Sequence, residues 1–209
     1  MRKLFIVGDS ISIQYGPYVK ALTANYLHYD RKRGEAEAFV DLDKPVGANG
    51  GDSSMVLEYL LEEQSKGVQY DVLLVNCGLH DIKTDIVTKE KQIPLNEYAN
   101  NLERIVEIAQ TMSRQFIWVK TTDAVEEVHN KPDSSFHRFH EDVVTYNACA
   151  DEIMEKHGVP TIDLYTFTRT FGEEAYCDHV HYNEDIRRLQ AAYIVGFLDL
   201  ELNSTFRQN

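Results

Sequence analysis

The sequence predicts an α/β protein built on a parallel sheet covered by helices on both faces. Three observations carry that prediction. Short uncharged apolar runs alternate with longer stretches of helical periodicity, the pattern of βαβ crossovers. The apolar runs are too continuous for half-solvated strands and fit strands buried on both faces. Polar clusters follow the strands directly, which is where sites form in open parallel sheets.

Taken in order, residues 3–7 form an apolar run closed by Gly8 and read as a buried strand. Residues 17–29 follow with helical spacing at Val19, Leu22 and Tyr26, and residues 36–42 are expected as the second strand. Residues 53–64 place Met55, Val56, Tyr59 and Leu60 on one helical face, with Asp52 as N-cap. Residues 70–77 are the clearest buried strand, with Val72-Leu73-Leu74-Val75 free of charge. Residues 95–112 are helical through Leu102, Ile105, Val106 and Ala109, and residues 115–120 are a strand. Residues 121–136 are polar and irregular. Residues 139–157 read as a helix closed by Gly158 at C′. A short strand at 159–164, a helical stretch at 165–171, a loop at 173–182 and an amphipathic helix at 184–200 complete the chain.

Its 209 residues suffice for one well-buried core and are few for two, so a single domain over 1–209 is expected. No repeat, linker or low-complexity tract divides it. The net charge of −13 argues against nucleic acid and anionic membrane surfaces as partners. It also disfavours strongly anionic substrates unless a local basic pocket offsets the field. Cys77, Cys149 and Cys177 are odd in number, widely spaced and without a CxxC, which fits a reduced compartment. The apolar run after Met1-Arg2-Lys3 is too short for a signal-peptide core or membrane span. A cytoplasmic location without membrane insertion is therefore expected. Asn203-Ser204-Thr205 matches a glycosylation sequon and is read as chance.

Four polar clusters carry chemistry: Asp9-Ser10, Gly50-Gly51-Asp52, Gly78-Leu79-His80-Asp81 and Asp178-His179-Val180-His181. Each alone has an ordinary structural reading, as a helix cap, a loop, a satisfied histidine or a turn. As a set they supply what acyl transfer needs. A serine hydroxyl needs an adjacent base; His181 is the candidate, with Asp178, three residues earlier, accepting from its other ring nitrogen. Candidate oxyanion donors are the Ser10 and Gly51 backbone N–H groups and a side chain of the Gly78–Asp81 turn. His137-x-x-His140 and His179-x-His181 have metal-like spacing, but no Cys or carboxylate pattern completes a site, so no metal and no cofactor is expected. No G-x-S-x-G, Walker A or post-strand G-x-G-x-x-G occurs.

The four blocks resemble those of the SGNH/GDSL hydrolases and span Gly8 to His181. Gly8-Asp9-Ser10-Ile11 matches the nucleophile block, Gly50-Gly51-Asp52-Ser53 the block of the oxyanion-hole glycine, and Asp178-His179-Val180-His181 the terminal Asp-x-x-His. The third block departs: the family's Gly-x-Asn-Asp is Gly78-Leu79-His80-Asp81 here. A neutral imidazole retains one N–H, so His80 is expected as the third oxyanion donor, or alternatively as a substrate contact beside Asp9. The resemblance implies a flavodoxin-like three-layer α/β/α sandwich with a mainly five-stranded parallel sheet. It implies a serine esterase with Ser10, Asp178 and His181 as triad and Ser10, Gly51 and His80 as hole. The expected substrate is a small or carbohydrate-linked ester, first of all an acetyl ester, because residues 121–136 are polar. The other readings are a lysophospholipase or acyl-thioesterase, and a non-catalytic ligand-binding protein with a degenerate hole. Hydrolysis through a metal held by the histidine pairs ranks below these.

Overall fold

A computed structural model of the chain describes residues 1–204, and side chains through residue 202. The elements are β1 (Arg2–Val7), α1 (Ser10–Thr23), β2 (Leu27–Arg31), α2 (Glu35–Ala38), α3 (Ser53–Ser65), β3 (Tyr70–Val75) and β4 (Thr84–Asp85), then α4 (Leu95–Met112), β5 (Ser113–Val119), α5 (Glu126–His129), β6 (Phe136–His137), α6 (His140–Lys156), β7 (Thr161–Ile162), α7 (Leu164–Arg169) and α8 (Glu184–Ser204). The Asn203-Ser204-Thr205 sequon extends outside the described residues.

Five strands form one sheet in the order β2-β1-β3-β5-β7, every pair parallel. The chain first steps from β1 outward to β2, then reverses to β3, β5 and β7. Right-handed crossovers put the helix of the outward step on one face and those of the return steps on the other. The packing follows: α1 lies against α8, and α8 against α7, whereas α3 packs on α4 and α4 on α6. The result is a three-layer α/β/α sandwich with flavodoxin-like strand order. The reversal makes the carboxyl ends of β1 and β3 the topological switch point, the place where such sheets bind ligands.

Burial explains the elements. Leu4 to Val7 of β1 and Val72 to Val75 of β3 are almost inaccessible, as central strands covered on both faces must be. In α4, Tyr98, Leu102, Ile105, Ala109 and Met112 recur every three or four residues on the buried side. Helix α6 ends as expected: Gly158 has φ +63°, and the Val159 and Gly158 N–H groups donate to Met154 and Glu155 carbonyls.

Several expectations are corrected. The second strand is Leu27–Arg31, not residues 36–42, where the short helix Glu35–Ala38 follows a left-handed Gly34. As an edge strand pairing only with β1, it is buried only at its two ends, Leu27 and Arg31, and carries His28, Asp30 and Arg31, so it lacks an apolar run. Helix α1 starts at Ser10 rather than residue 17, and Pro17 lies within it on an exposed position. Its residues Ser10 to Gly16 are buried all round, which erases helical periodicity. At the far edge, β7 is two residues long rather than six. The polar stretch 121–136 contains α5, and β6 pairs antiparallel with β4. That pairing sets residues 136–138 beside the Gly78–Asp81 turn. Among the described residues no helix is long and apolar enough to cross a membrane.

Candidate active site

Ser10 is the first residue of α1, directly after β1 and the two-residue turn Gly8-Asp9. Asp9 caps the helix: its Oδ1 accepts from the Ile11 N–H at 3.0 Å, and its carbonyl accepts from Ser12 Oγ at 2.6 Å. The Asp9 side chain, expected as a substrate contact, is 2% exposed with its carboxylate bonded at the helix start, and burial pushes that carboxyl above the usual range. Its service to the site is to fix the helix start and hence Ser10.

His181 Nε2 lies 2.8 Å from Ser10 Oγ, and His181 Nδ1 lies 2.7 Å from Asp178 Oδ2. Asp178 Oδ1 accepts from the Val180 and His181 N–H groups at 2.9 and 2.8 Å. Burial opposes ionisation of Asp178, but these bonds from His181 and the two amides prevail and hold it well below the usual carboxylate range. His181 is 2% exposed. The three residues expected to act together are thus brought together, in an arrangement able to remove a proton from the serine and steady the resulting imidazolium.

The blocks expected to supply the oxyanion donors adjoin the Ser10 turn: the Gly50 N–H donates to the Gly8 carbonyl at 2.9 Å, and the Asn76 N–H to the Val7 carbonyl at 3.0 Å. Gly51 has φ +75°, and a Cβ there would lie 2.5 Å from Met55 Sδ, so the position requires glycine. Its N–H is one of the expected oxyanion donors. It donates to Asn49 Oδ1 at 3.0 Å, so service to an oxyanion requires a three-centre bond or a turn of the Asn49 amide. Asp52 caps α3 through the Met55 N–H, as expected, and Asp81 Oδ1 accepts from the Ser53 N–H at 2.9 Å. Asp81 thereby ties the Gly51 block to the His80 block. Gly78, at φ +149°, lies so close to Thr121 that a Cβ would meet its Oγ1 at 2.3 Å. Thr121 Oγ1 in turn donates to the Cys77 carbonyl.

His80 is 2% exposed, and burial, reinforced by the nearby Lys83 and Arg138 cations, lowers its pKa well below the usual value. It is therefore neutral at working pH and holds one ring N–H; its Nδ1 has no hydrogen-bond partner among the described residues. Of the remaining histidines, His140 Nδ1 pairs with the Asp123 carboxylate at 2.8 Å, and His179 Nε2 lies 3.2 Å from Asp43 Oδ1. His137 belongs to β6.

Several residues beside the triad escape sequence reasoning: Asp43 on the loop before α3, Lys83 after the third block, His129 in α5 and Arg138 after β6. They sit in irregular or very short elements and match no motif. Arg138 Nε donates to the Leu79 carbonyl at 2.8 Å, a contact made possible by the β4–β6 pairing.

Comparison with known proteins bears on the fold and the family. The chain has no match among curated protein sequences. Among solved structures it resembles a lipase/acylhydrolase from Enterococcus faecalis, with a TM-score of 0.70 and 19% identity over 95% of both chains. It also resembles an acetylxylan esterase, Axe2, from Geobacillus stearothermophilus, with a TM-score of 0.67 and 19% identity over 93% of this chain and 92% of that one. A third is the psychrotrophic esterase EstA from Pseudoalteromonas sp., with a TM-score of 0.66 and 12% identity over 97% of this chain and 100% of that one. At these identities the likeness establishes the fold. Residues 6–189 match the GDSL-like Lipase/Acylhydrolase family, and the chain belongs to that family of hydrolases.

Proposed function

We propose that the protein is a single-domain serine esterase that hydrolyses a small or carbohydrate-linked ester, first of all an acetyl ester, through an acyl-serine intermediate. The observation that carries this reading is the continuous bond path from Ser10 Oγ through His181 to Asp178. In the first half-reaction Ser10 Oγ attacks the ester carbonyl carbon while His181 Nε2 takes the hydroxyl proton. The tetrahedral oxyanion is held by the Ser10 N–H at the start of α1, by the Gly51 N–H and by His80. Collapse breaks the bond to the alcohol oxygen, which receives the proton from His181. In the second half-reaction a water molecule, deprotonated by His181, attacks the acyl carbon. Ser10 Oγ leaves as the proton returns to it, and the carboxylic acid departs. The acetyl preference is supported by the polar makeup of residues 121–136 and by the fold shared with an acetylxylan esterase.

The test combines covalent labelling and turnover. A fluorophosphonate probe should label Ser10, and the protein should release 4-nitrophenol from 4-nitrophenyl acetate; both should vanish in Ser10→Ala. Absence of labelling and turnover in the wild-type chain would favour a ligand-binding protein on the same fold.

A further inference from the structure

The turn that carries Asp178 and His181 holds a second histidine, and ester hydrolysis as described leaves it without a role. His179 Nε2 lies 3.2 Å from Asp43 Oδ1, on the loop before α3, and its Nδ1 lies 3.8 Å from Asp178 Oδ1. With a carboxylate opposite, Nε2 is the nitrogen that carries the hydrogen. The imidazole thus stands between two carboxylates, one of them in the triad. Two further contacts fix it there: it stacks on the His129 ring at 4.3 Å, and its backbone carbonyl accepts from the Val125 N–H at 2.8 Å. Its ring meets that of His181 edge-on at 6.1 Å. A row therefore runs from Asp43 through His179, Asp178 and His181 to Ser10.

Asp43 also answers the cations on this side. Arg138 Nη1 stands 3.8 Å from the same Oδ1, and Lys83 Nζ donates to the Asp43 backbone carbonyl at 3.1 Å. Burial opposes ionisation of Asp43, but His179, Arg138 and His181 prevail and hold its carboxyl well below the usual range. Arg138 is 1% exposed, and after Asp43 the carboxylates acting on it are Asp9 and Asp178. Asp178 is the one that orients His181. Without the Asp43 charge, the Arg138 cation would draw on the triad's own carboxylate.

When Ser10 gives up its proton, His181 becomes a cation for the lifetime of the transition state. Carboxylates facing the ring favour that state, and an unopposed buried cation nearby disfavours it. Asp178, Asp9 and Asp43 are the carboxylates around His181, and the buried neighbour His80 is neutral. We infer that Asp43 is a positioning residue of the catalytic machinery: it holds His179 against the triad turn and, by offsetting Arg138, keeps the field at His181 favourable to the imidazolium. The assignment deepens the esterase reading and rests on it for its kinetic consequence. The Asp43 side chain is 38% exposed, so solvent screens the effect to a few-fold in rate.

The test is Asp43→Asn, which keeps an oxygen for His179 and the backbone carbonyl for Lys83 but loses the charge. On 4-nitrophenyl acetate, kcat should fall about three- to tenfold with KM unchanged. A weaker hold on the imidazolium lets His181 lose its proton at lower pH. The acidic limb of kcat/KM against pH should therefore move down by about 0.3–0.8 unit. Asp43→Glu should restore most of both. Adding Arg138→Gln to Asp43→Asn should return the limb toward its wild-type place, because the unopposed cation is gone. Glu62→Gln, an equal change in charge on the exposed face of α3, should leave the limb where it was. A lower kcat with an unmoved limb in Asp43→Asn would reduce Asp43 to a structural link and overturn the assignment, leaving the esterase standing. Proton NMR of histidine-labelled protein needs no turnover: the pH at which the His181 resonances change should be lower in Asp43→Asn than in the wild type. That result, with no ester hydrolysed by the wild type, upholds Asp43 and overturns the esterase. Equal midpoints overturn Asp43 whether or not esters are hydrolysed.

Discussion

His181 Nε2 sits 2.8 Å from Ser10 Oγ although 171 positions separate the two residues in sequence. Ser10 is fixed by the end of β1 and the Asp9 cap. His181 is fixed by a turn whose amides and ring converge on Asp178. The third member is the least enclosed, with its side chain 43% exposed. Replacing Asp178 by Asn keeps the shape but removes the acceptor that fixes the His181 tautomer. The expected result is a fall in kcat of about 10²–10⁴, measured on 4-nitrophenyl acetate, with an unchanged circular dichroism spectrum. Because Asp178 is held ionised well below the usual range, its titration should leave no mark on the activity profile between pH 5 and 9.

His80 is the point where the chain leaves its family's pattern, and it is testable in both directions. Truncation to Ala removes the proposed side-chain donor and should lower kcat by about 10²–10³. His80→Asn restores an amide donor at the family's position and should recover most of that loss. Burial keeps His80 neutral, so the effect of His80→Ala should be the same at pH 6 and pH 8. An unchanged kcat in the Ala variant would mean that the hole has backbone donors only.

The legibility of the chain follows its physics. β1 and β3 were readable because burial on both faces forces continuous apolar runs. β2 was not, because an edge strand tolerates His28 and Asp30 between buried positions. The first two turns of α1 were hidden because burial on all sides leaves no periodicity. Ser10 was legible as a short motif following a strand, and Asp178 and His181 as an Asp-x-x-His in the loop before the last helix. Arg138 was not: only the two-residue pairing of β4 with β6 brings it to Leu79, and nothing local signals that. The capture of the Gly51 N–H by Asn49 depends on one amide orientation, which sequence does not encode in any pattern.

Gly51 and Gly67 form a matched pair. Both have positive φ, +75° and +71°, so an alanine at either carries left-handed backbone strain of roughly 1–2 kcal/mol. Around Gly67 a Cβ meets nothing within 4 Å. At Gly51 it would lie 2.5 Å from Met55 Sδ and 2.9 Å from Pro45 Cβ. Gly67→Ala should therefore cost only the strain and leave kcat intact. Gly51→Ala should cost more stability and also displace the N–H proposed for the hole, lowering kcat at least about tenfold. Thermal melts and esterase assays on the two variants check this directly.

Asp81 predicts the pH dependence of stability. It is fully buried, with Oδ1 bonded to the Ser53 N–H and Oδ2 without a partner among the described residues. Burial raises its pKa to about 7, against the opposing Ser53 bonds. A folded-state pKa above the unfolded one means that the native state binds the extra proton. Between about pH 4 and pH 7 the native chain holds more protons than the unfolded chain at this group, so its contribution falls as pH rises and levels off above 7. At about 1.4 kcal/mol per unit, the loss is on the order of 4 kcal/mol. Asp81→Asn keeps the acceptor for Ser53 and cannot ionise, so it should flatten this slope. Urea midpoints measured from pH 4.5 to pH 8 in both proteins provide the check. A decline as steep in Asp81→Asn as in the wild type would assign the pH dependence to another group and leave Asp81 a tether between the Gly51 and His80 blocks alone.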